Sequence, residues 1–223
     1  MRTDEIRTAY LKFFEERDHK ICSSDSLVPG NDPTLLFTGA GMNQFKDQFM
    51  GLNIQFSRAT TAQKCIRTGD IMNVGVTPAH HTFFEMLGNW SLGDYGRAEM
   101  IPWSWEFLTG EEWLHLAPER LYVTVFEGDG EVPGDEESVA QWQEQFARAG
   151  MDARPGERIF RLGRDDNWWG PVGQTGPCGP DTEMFFDTGR TRCRPQCRPG
   201  CACGKYVEIW NDVFMDYYRQ ADG

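Results

Sequence analysis

Apolar positions recur at helical spacing at the start of the chain. Ile6, Ala9, Tyr10, Phe13 and Phe14 predict a first helix over residues 3–18, with Thr3 able to cap it. Polar, Gly- and Pro-bearing residues 23–33 predict a loop, and the β-branched, apolar residues 34–38 predict a strand. Residues 39–42 form a turn and 43–50 begin a helix. Residues 64–67 are a short apolar-plus-basic strand, 68–78 a loop, and 80–87 a returning strand, so a hairpin is expected. Residues 97–109 are helical, with Trp103, Trp105, Phe107 and Leu108 turned inward. Strong β propensity marks residues 121–126. An acidic, Gly-rich loop follows over 127–137. Then comes a polar helix over 138–149 that shows Val139, Trp142 and Phe146 on one face. Short strands are expected at 159–162 and 182–186, and a longer one at 207–215. The glycines and prolines between Gly170 and Pro180 exclude regular structure there and suit a loop whose backbone approaches a ligand.

With 39% hydrophobic and 25% charged residues among 223, the chain can bury a core and is not a disordered segment. No apolar run approaches the roughly 18 residues of a membrane span, and the N-terminus lacks a signal-peptide core. A cytoplasmic protein is the expectation. The net charge of −12 argues against a general nucleic-acid binder, because phosphate contacts need clustered Lys and Arg.

The hairpin carries the chemistry. Arg67 on one strand and the His and Phe pairs on the next would put a guanidinium, an imidazole and an aromatic ring close together. A guanidinium forks onto a phosphate, and a base stacks on a ring. The pattern Arg, loop, His-x-x-x-Phe resembles motif 2 of the class II aminoacyl-tRNA synthetases. The wording HHTFFEMLGNWSLGDY resembles the alanine-specific branch of that family. So do DPTLLFTGAGMNQFKDQF upstream, the WWGPVGQTGPCGP segment, and EIWNDVFM near the C-terminus. Three departures stand out. The loop after Arg67 is short, running Thr68-Gly69-Asp70-Ile71-Met72-Asn73 where many members have a longer insertion. The Trp168-Trp169-Gly170-Pro171 run is one residue longer than the common spelling. Asp181 stands where a second Cys is frequent.

The resemblance implies an α+β fold, with an antiparallel class II sheet flanked by helices. It implies one catalytic core over residues 1–223, C-terminally incomplete, with a Cys-rich insertion at 190–204. It implies ATP-dependent activation of L-alanine to alanyl-adenylate, with Mg²⁺, and transfer to tRNA(Ala). Arg67 would be the catalytic, α-phosphate-binding residue, His80 would lie toward the outer phosphates, and Phe84 would stack adenine. Trp169, Asn211 and Val213 would wall the alanine pocket. Members of the family continue beyond a segment like residues 219–223 into motif 3 and the tRNA-recognition helices. An N-terminal piece of a longer enzyme is therefore expected, with a truncated, non-catalytic nucleotide- or tRNA-binding relative as the alternative.

Cysteine usage adds one more candidate. Cys22, Cys65 and Cys178 are scattered, whereas Cys193, Cys197, Cys201 and Cys203 fall within eleven residues. Thiolates on a turn-rich loop can close a tetrahedral zinc site, though the spacing is not paired Cys-x-x-Cys. Structural Zn²⁺ and free thiols both remain open on the sequence. A zinc-stapled interaction module is the third functional class it admits.

Overall fold

The computed structural model describes residues 1–30, 35–69, 71–76, 80–171 and 175–221. The chain forms two compact units, Met1–Tyr95 and Gly96–Gly223. The expected loop at 68–78, the strand at 34–38 and the loop at 170–180 fall partly outside the described residues.

In the first unit, helix α1 (Thr3–Glu15) buries Tyr10, Phe13 and Phe14. Thr3 does not cap it. The Glu5 carboxylate accepts the backbone N–H of Arg2 at 2.7 Å instead. The helix stops short of the expected residue 18, and Asp18 turns the chain with φ of 61°. Strand β1 (Lys20–Cys22) lies parallel to β2 (Arg58–Ile66), which pairs antiparallel with β3 (Phe83–Ser91).

β2 is longer than expected because its first half buries polar side chains. Thr60, Thr61 and Gln63 are fully buried. Thr60 donates to the Gly88 carbonyl, and Gln63 is held by Ser24, the Asp25 backbone and Gln44. A hydrophobic pattern carries no trace of such burial. Between β1 and β2 the expected helix is a 3-10 turn, Gly41–Phe45, followed by one α-turn, α2 (Lys46–Phe49).

Residues 35–38 are not a strand. Leu36 and Phe37 face solvent, at 85% and 38% exposure, so the alternation a half-buried strand needs is missing. Thr38 is tied instead to the Leu27 and Ser26 carbonyls and accepts the Ile66 N–H.

The second unit is built on a six-stranded sheet. Helix α3 (Arg97–Thr109) matches its expected span, and β4 (Leu121–Phe126) follows. Helix α4 (Glu136–Arg148) begins with Asp135 as N-cap, whose carboxylate accepts from the Ser138 N–H and hydroxyl. Strand β5 (Ile159–Leu162) lies parallel to β4. A single turn, α5 (Arg164–Asn167), leads into the two-residue strand β6 (Trp168–Trp169).

Strand β7 (Gly176–Asp187) pairs antiparallel with β4, β6, β8 (Tyr206–Val213) and β9 (Tyr217–Arg219). The expected loop therefore gives way to strand at Gly176. Prolines 177 and 180 lack an N–H, but Pro180 still contributes its carbonyl, which accepts from Phe214 at 2.9 Å. Gly179 makes the close approach possible, since a Cβ there would lie 2.0 Å from the Phe214 carbonyl oxygen.

One face of this sheet is covered by α3 and α4. Trp142 donates its indole N–H to Thr182, and Ser104 touches Asp212 at 3.0 Å. Trp105 packs edge-on against Trp142 and Phe146. The α+β expectation stands, with mostly antiparallel pairing. Among the described residues no helix is long and apolar enough to cross a membrane.

Candidate functional site

In the first unit the β2–β3 register sets Cys65 opposite Phe84 and Ile66 opposite Phe83. Arg67 follows directly, its N–H donating to the Thr82 carbonyl at 3.0 Å and so closing the hairpin end. Alternation then places Cys65, Arg67 and Phe84 on one face. The Arg67 guanidinium carbon sits 5.3 Å from the Phe84 ring centroid, and Nε donates to the Gly39 carbonyl at 2.9 Å. Arg67 is exposed and Phe84 half-buried. A fixed cation and a flat ring therefore share one accessible spot. His80 is half-buried and lies just before β3 rather than on it, a shift from the expected strand over 80–87.

In the second unit, Val213 lies opposite Asp181 and Asn211 opposite Glu183 on the β7–β8 pair. Trp169 lies opposite Gly179 on the β6–β7 pair and is half-buried. All three residues expected around an amino acid are thus carried by strands that pair with β7.

The same register exposes a pair of carboxylates of which the sequence marked only Asp181, as a departure from a frequent Cys. Asp181 and Glu183 alternate with Thr182, so their side chains share the face away from α3 and α4. Asp181 is 3% exposed and accepts from Asn167 at 3.0 Å and from Asn211. Burial pushes its carboxyl up to about 6. Burial, with Glu208 nearby, pushes Glu183 up to about 8. On the helix-covered face, burial raises Asp212 to about 7. Carboxylates inside β-prone runs, TEMFF and WNDVFM, were the available sequence signal.

The four clustered thiols converge. Cys193 and Cys201 lie 3.5 Å apart, Cys197 and Cys203 also 3.5 Å, and all four sulfurs are within 4.8 Å of one another. They sit in the β7–β8 connection, which starts and ends at the Asp187–Tyr206 pair. Two turns bring them together, with the Cys197 N–H donating to the Arg194 carbonyl and the Cys201 N–H to that of Arg198. Cys197 is 4% exposed and packs with Phe185 and Tyr206, with Tyr122, Cys201 and Cys203 around them. At the base, Lys205 bonds both Asp187 carboxylate oxygens at 2.9 Å. A tetrahedral ion with metal–sulfur distances of about 2.3 Å needs sulfurs about 3.8 Å apart, so this donor set fits a tetrathiolate centre after only a small adjustment.

The chain matches the family model for tRNA synthetases class II (A) over residues 5–223. It is similar to the alanine--tRNA ligase of Treponema pallidum (strain Nichols), with 57% identity over 100% of this chain and 36% of that protein. The alanine--tRNA ligase of Treponema denticola is 53% identical over 99% of this chain and 36% of its own length. That of Anaeromyxobacter sp. (strain Fw109-5) is 51% identical over 98% of this chain and 25% of its own. The chain thus spans about a third of the length of the first curated relatives it matches.

Proposed function

The chain belongs to the class II tRNA synthetases (A), and from that premise we propose that it is the alanine-activating part of an alanine--tRNA ligase. Residues 1–223 would form catalytic core, with residues 190–204 inserted into it. In the first step an oxygen of the alanine carboxylate attacks the α-phosphorus of ATP. A phosphorus–oxygen bond forms, the bond to the bridging oxygen breaks, and pyrophosphate leaves with its electron pair. In the second step a terminal ribose hydroxyl of tRNA(Ala) attacks the acyl carbon to form an ester, the bond from that carbon to the phosphate oxygen breaks, and AMP leaves with the electron pair while the hydroxyl proton passes to the departing phosphate.

Negative charge grows on nonbridging phosphate oxygens in the first step, so a preorganised cation lowers the barrier without any protein nucleophile. Arg67 takes that role, and Phe84 offers the ring on which adenine stacks. His80, just upstream of Phe84, is assigned to the outer phosphates. Trp169, Asn211 and Val213 are assigned to the alanine. The observation that carries this reading is the Arg67 guanidinium standing over the Phe84 ring on one accessible face. Shape alone would discriminate poorly against glycine and serine, since one methylene is worth only about 1–3 kcal/mol.

Among the described residues, the one cluster of three or more ligating side chains is the four thiols. Soft sulfur donors suit Zn²⁺ and not Mg²⁺. Magnesium is therefore assigned to the ATP phosphates, where it would neutralise charge. A structural zinc is assigned to Cys193, Cys197, Cys201 and Cys203, where it would fix the long β7–β8 connection. A cytoplasmic location accompanies this reading. The test is alanine-dependent ATP–pyrophosphate exchange by the full-length protein. Exchange with alanine that collapses on Arg67→Ala supports the assignment, and exchange unaffected by that change removes it.

A further inference from the structure

The β7–β8 connection is unusual in charge as well as in cysteine. Residues 188–205 hold Arg190, Arg192, Arg194, Arg198 and Lys205 and no Asp or Glu, within a chain of net charge −12. Lys205 is paired with Asp187 at the base. The four arginines are exposed, and none is ion-paired to a described residue. Three of the cysteines do the opposite, Cys193 being exposed. Cys197 is buried against Phe185 and Tyr206, with Cys201 and Cys203 packed beside it. The loop is thus fastened to the sheet by its sulfurs and turns its guanidiniums to solvent.

Hairpin connections are usually two to five residues long, so an eighteen-residue one without regular structure calls for a purpose. Like charges this near one another along the chain repel, and a polyanion relieves that repulsion. Residues 188–205 contain no aromatic side chain, so the loop cannot stack on bases. Guanidiniums without rings read phosphates. A tetrathiolate centre holding a divalent ion would carry two negative charges, fewer than the four positive ones around it.

We propose that the 188–205 connection is a basic knuckle that grips the sugar–phosphate backbone of RNA through Arg192, Arg194 and Arg198, with the four sulfurs holding those residues in place. This deepens the synthetase reading and rests on it, since tRNA is the RNA such an enzyme handles. Recognition is of phosphate geometry rather than base sequence.

The test compares the full-length protein with a triple variant, Arg192→Gln, Arg194→Gln and Arg198→Gln, and a second triple variant changing the same three to Lys. Binding of a tRNA(Ala) transcript is measured by fluorescence anisotropy from 50 to 300 mM salt. Each phosphate contact contributes about 0.7–0.9 to the slope of log affinity against log salt, so the Gln variant should show a slope shallower by about 2 to 3. Its affinity at the lowest salt should fall by about tenfold or more. The Lys variant should keep most of the slope. Bound metal and tRNA-independent alanine–pyrophosphate exchange should be unchanged in both. An unaltered slope in the Gln variant overturns the proposal. So does loss of bound metal in the Gln variant, which would show that the guanidiniums serve the sulfur centre. Absence of alanine-dependent exchange in the parent protein would strike the synthetase reading itself, separately from the RNA measurement.

Discussion

The Arg67 guanidinium carbon lies 5.3 Å from the centre of the Phe84 ring, on one face of the β2–β3 hairpin. That gap holds the two groups in contact and nothing more. Stacked carbon layers sit about 3.5–4.0 Å apart, so a base between them would need roughly 7 Å or more. With Arg67 fixed, adenine would therefore stack on the part of the Phe84 ring that the guanidinium leaves open, and not between the two groups. Because Nε is anchored on the Gly39 carbonyl, the terminal nitrogens are the ones left to fork onto an oxyanion.

Substitutions at this pair should separate two effects. Arg67→Ala should lower kcat/KM for alanine-dependent exchange by about 10²–10³, the usual cost of removing one preorganised stabilising group. Arg67→Lys should recover little, because a point charge does not reproduce the fork. Phe84→Ala should act mainly on KM for ATP, by about tenfold to a hundredfold, in line with about 1–3 kcal/mol per stacked base. Phe84→Tyr should restore it. Steady-state exchange kinetics with ATP varied checks all four.

The four sulfurs should hold one metal ion per chain. Metal analysis of the purified protein should return zinc near one equivalent, and chelation should lower the melting temperature. Cys197→Ser should cost more stability than Cys193→Ser, because Cys197 also fills the cluster with Phe185 and Tyr206 whereas Cys193 is exposed. A melting curve indifferent to chelator, in metal-free protein, would falsify the assignment.

His19 should make the first unit acid-sensitive. It is 3% exposed, and burial lowers its pKa from 6.5 to about 4. Its Nδ1 faces the Phe14 and Arg17 carbonyls, and its Nε2 lies 2.8 Å from the Tyr95 hydroxyl, which also receives the Asn89 amide. A folded state that resists protonation binds fewer protons than the unfolded chain between pH 6.5 and 4. The stability is therefore fully present above pH 6.5 and is lost as pH falls toward 4, by about 3 kcal/mol at the limit. Urea unfolding of the parent and of a His19→Gln variant across that range measures it, and the variant should show the flatter dependence.

Asp212 should behave in the opposite sense. Burial raises its pKa from 3.8 to about 7, so the folded state keeps a proton that the unfolded chain has lost. That contribution is present below pH 3.8 and disappears as pH rises through 7. Ser104 bonds both the Ile101 carbonyl and Asp212, and its single hydrogen can serve only one of them. A protonated Asp212 donating to Ser104 satisfies all three groups. Asp212→Asn should therefore be tolerated and should gain in melting temperature relative to the parent between pH 5 and 8.

Arg97 joins Asp135 and Asp216 while only 11% exposed. Arg97→Ala would leave Asp135, the N-cap of α4, as an uncompensated buried charge. It should cost about 3 kcal/mol or more in urea unfolding. Asp216→Asn should cost far less, because Asp216 is 44% exposed and the Asp135 partner remains.

Local pattern was enough for α3, α4, β4 and β5, because the helices carry an apolar stripe and the strands a run of β-prone residues within one stretch of chain. The hairpin chemistry was legible for the same reason. Arg67 and Phe84 belong to neighbouring strands of one turn, so their order along the chain fixes their pairing once the register is known. What the chain could not reveal locally was which polar groups are buried. Thr60 and Gln63 find their partners at Gly88, Ser24 and Gln44, and their burial depends on those distant groups. The same holds for the Gly176–Pro180 stretch, which is strand only because Phe214 and β9 lie alongside it. Sequence supplied four cysteines at irregular spacing. Only the closed β7–β8 pairing and the cluster around Phe185 and Tyr206 bring their sulfurs within one coordination sphere, since convergence in space is set by where the strands end and not by the count of residues between ligands.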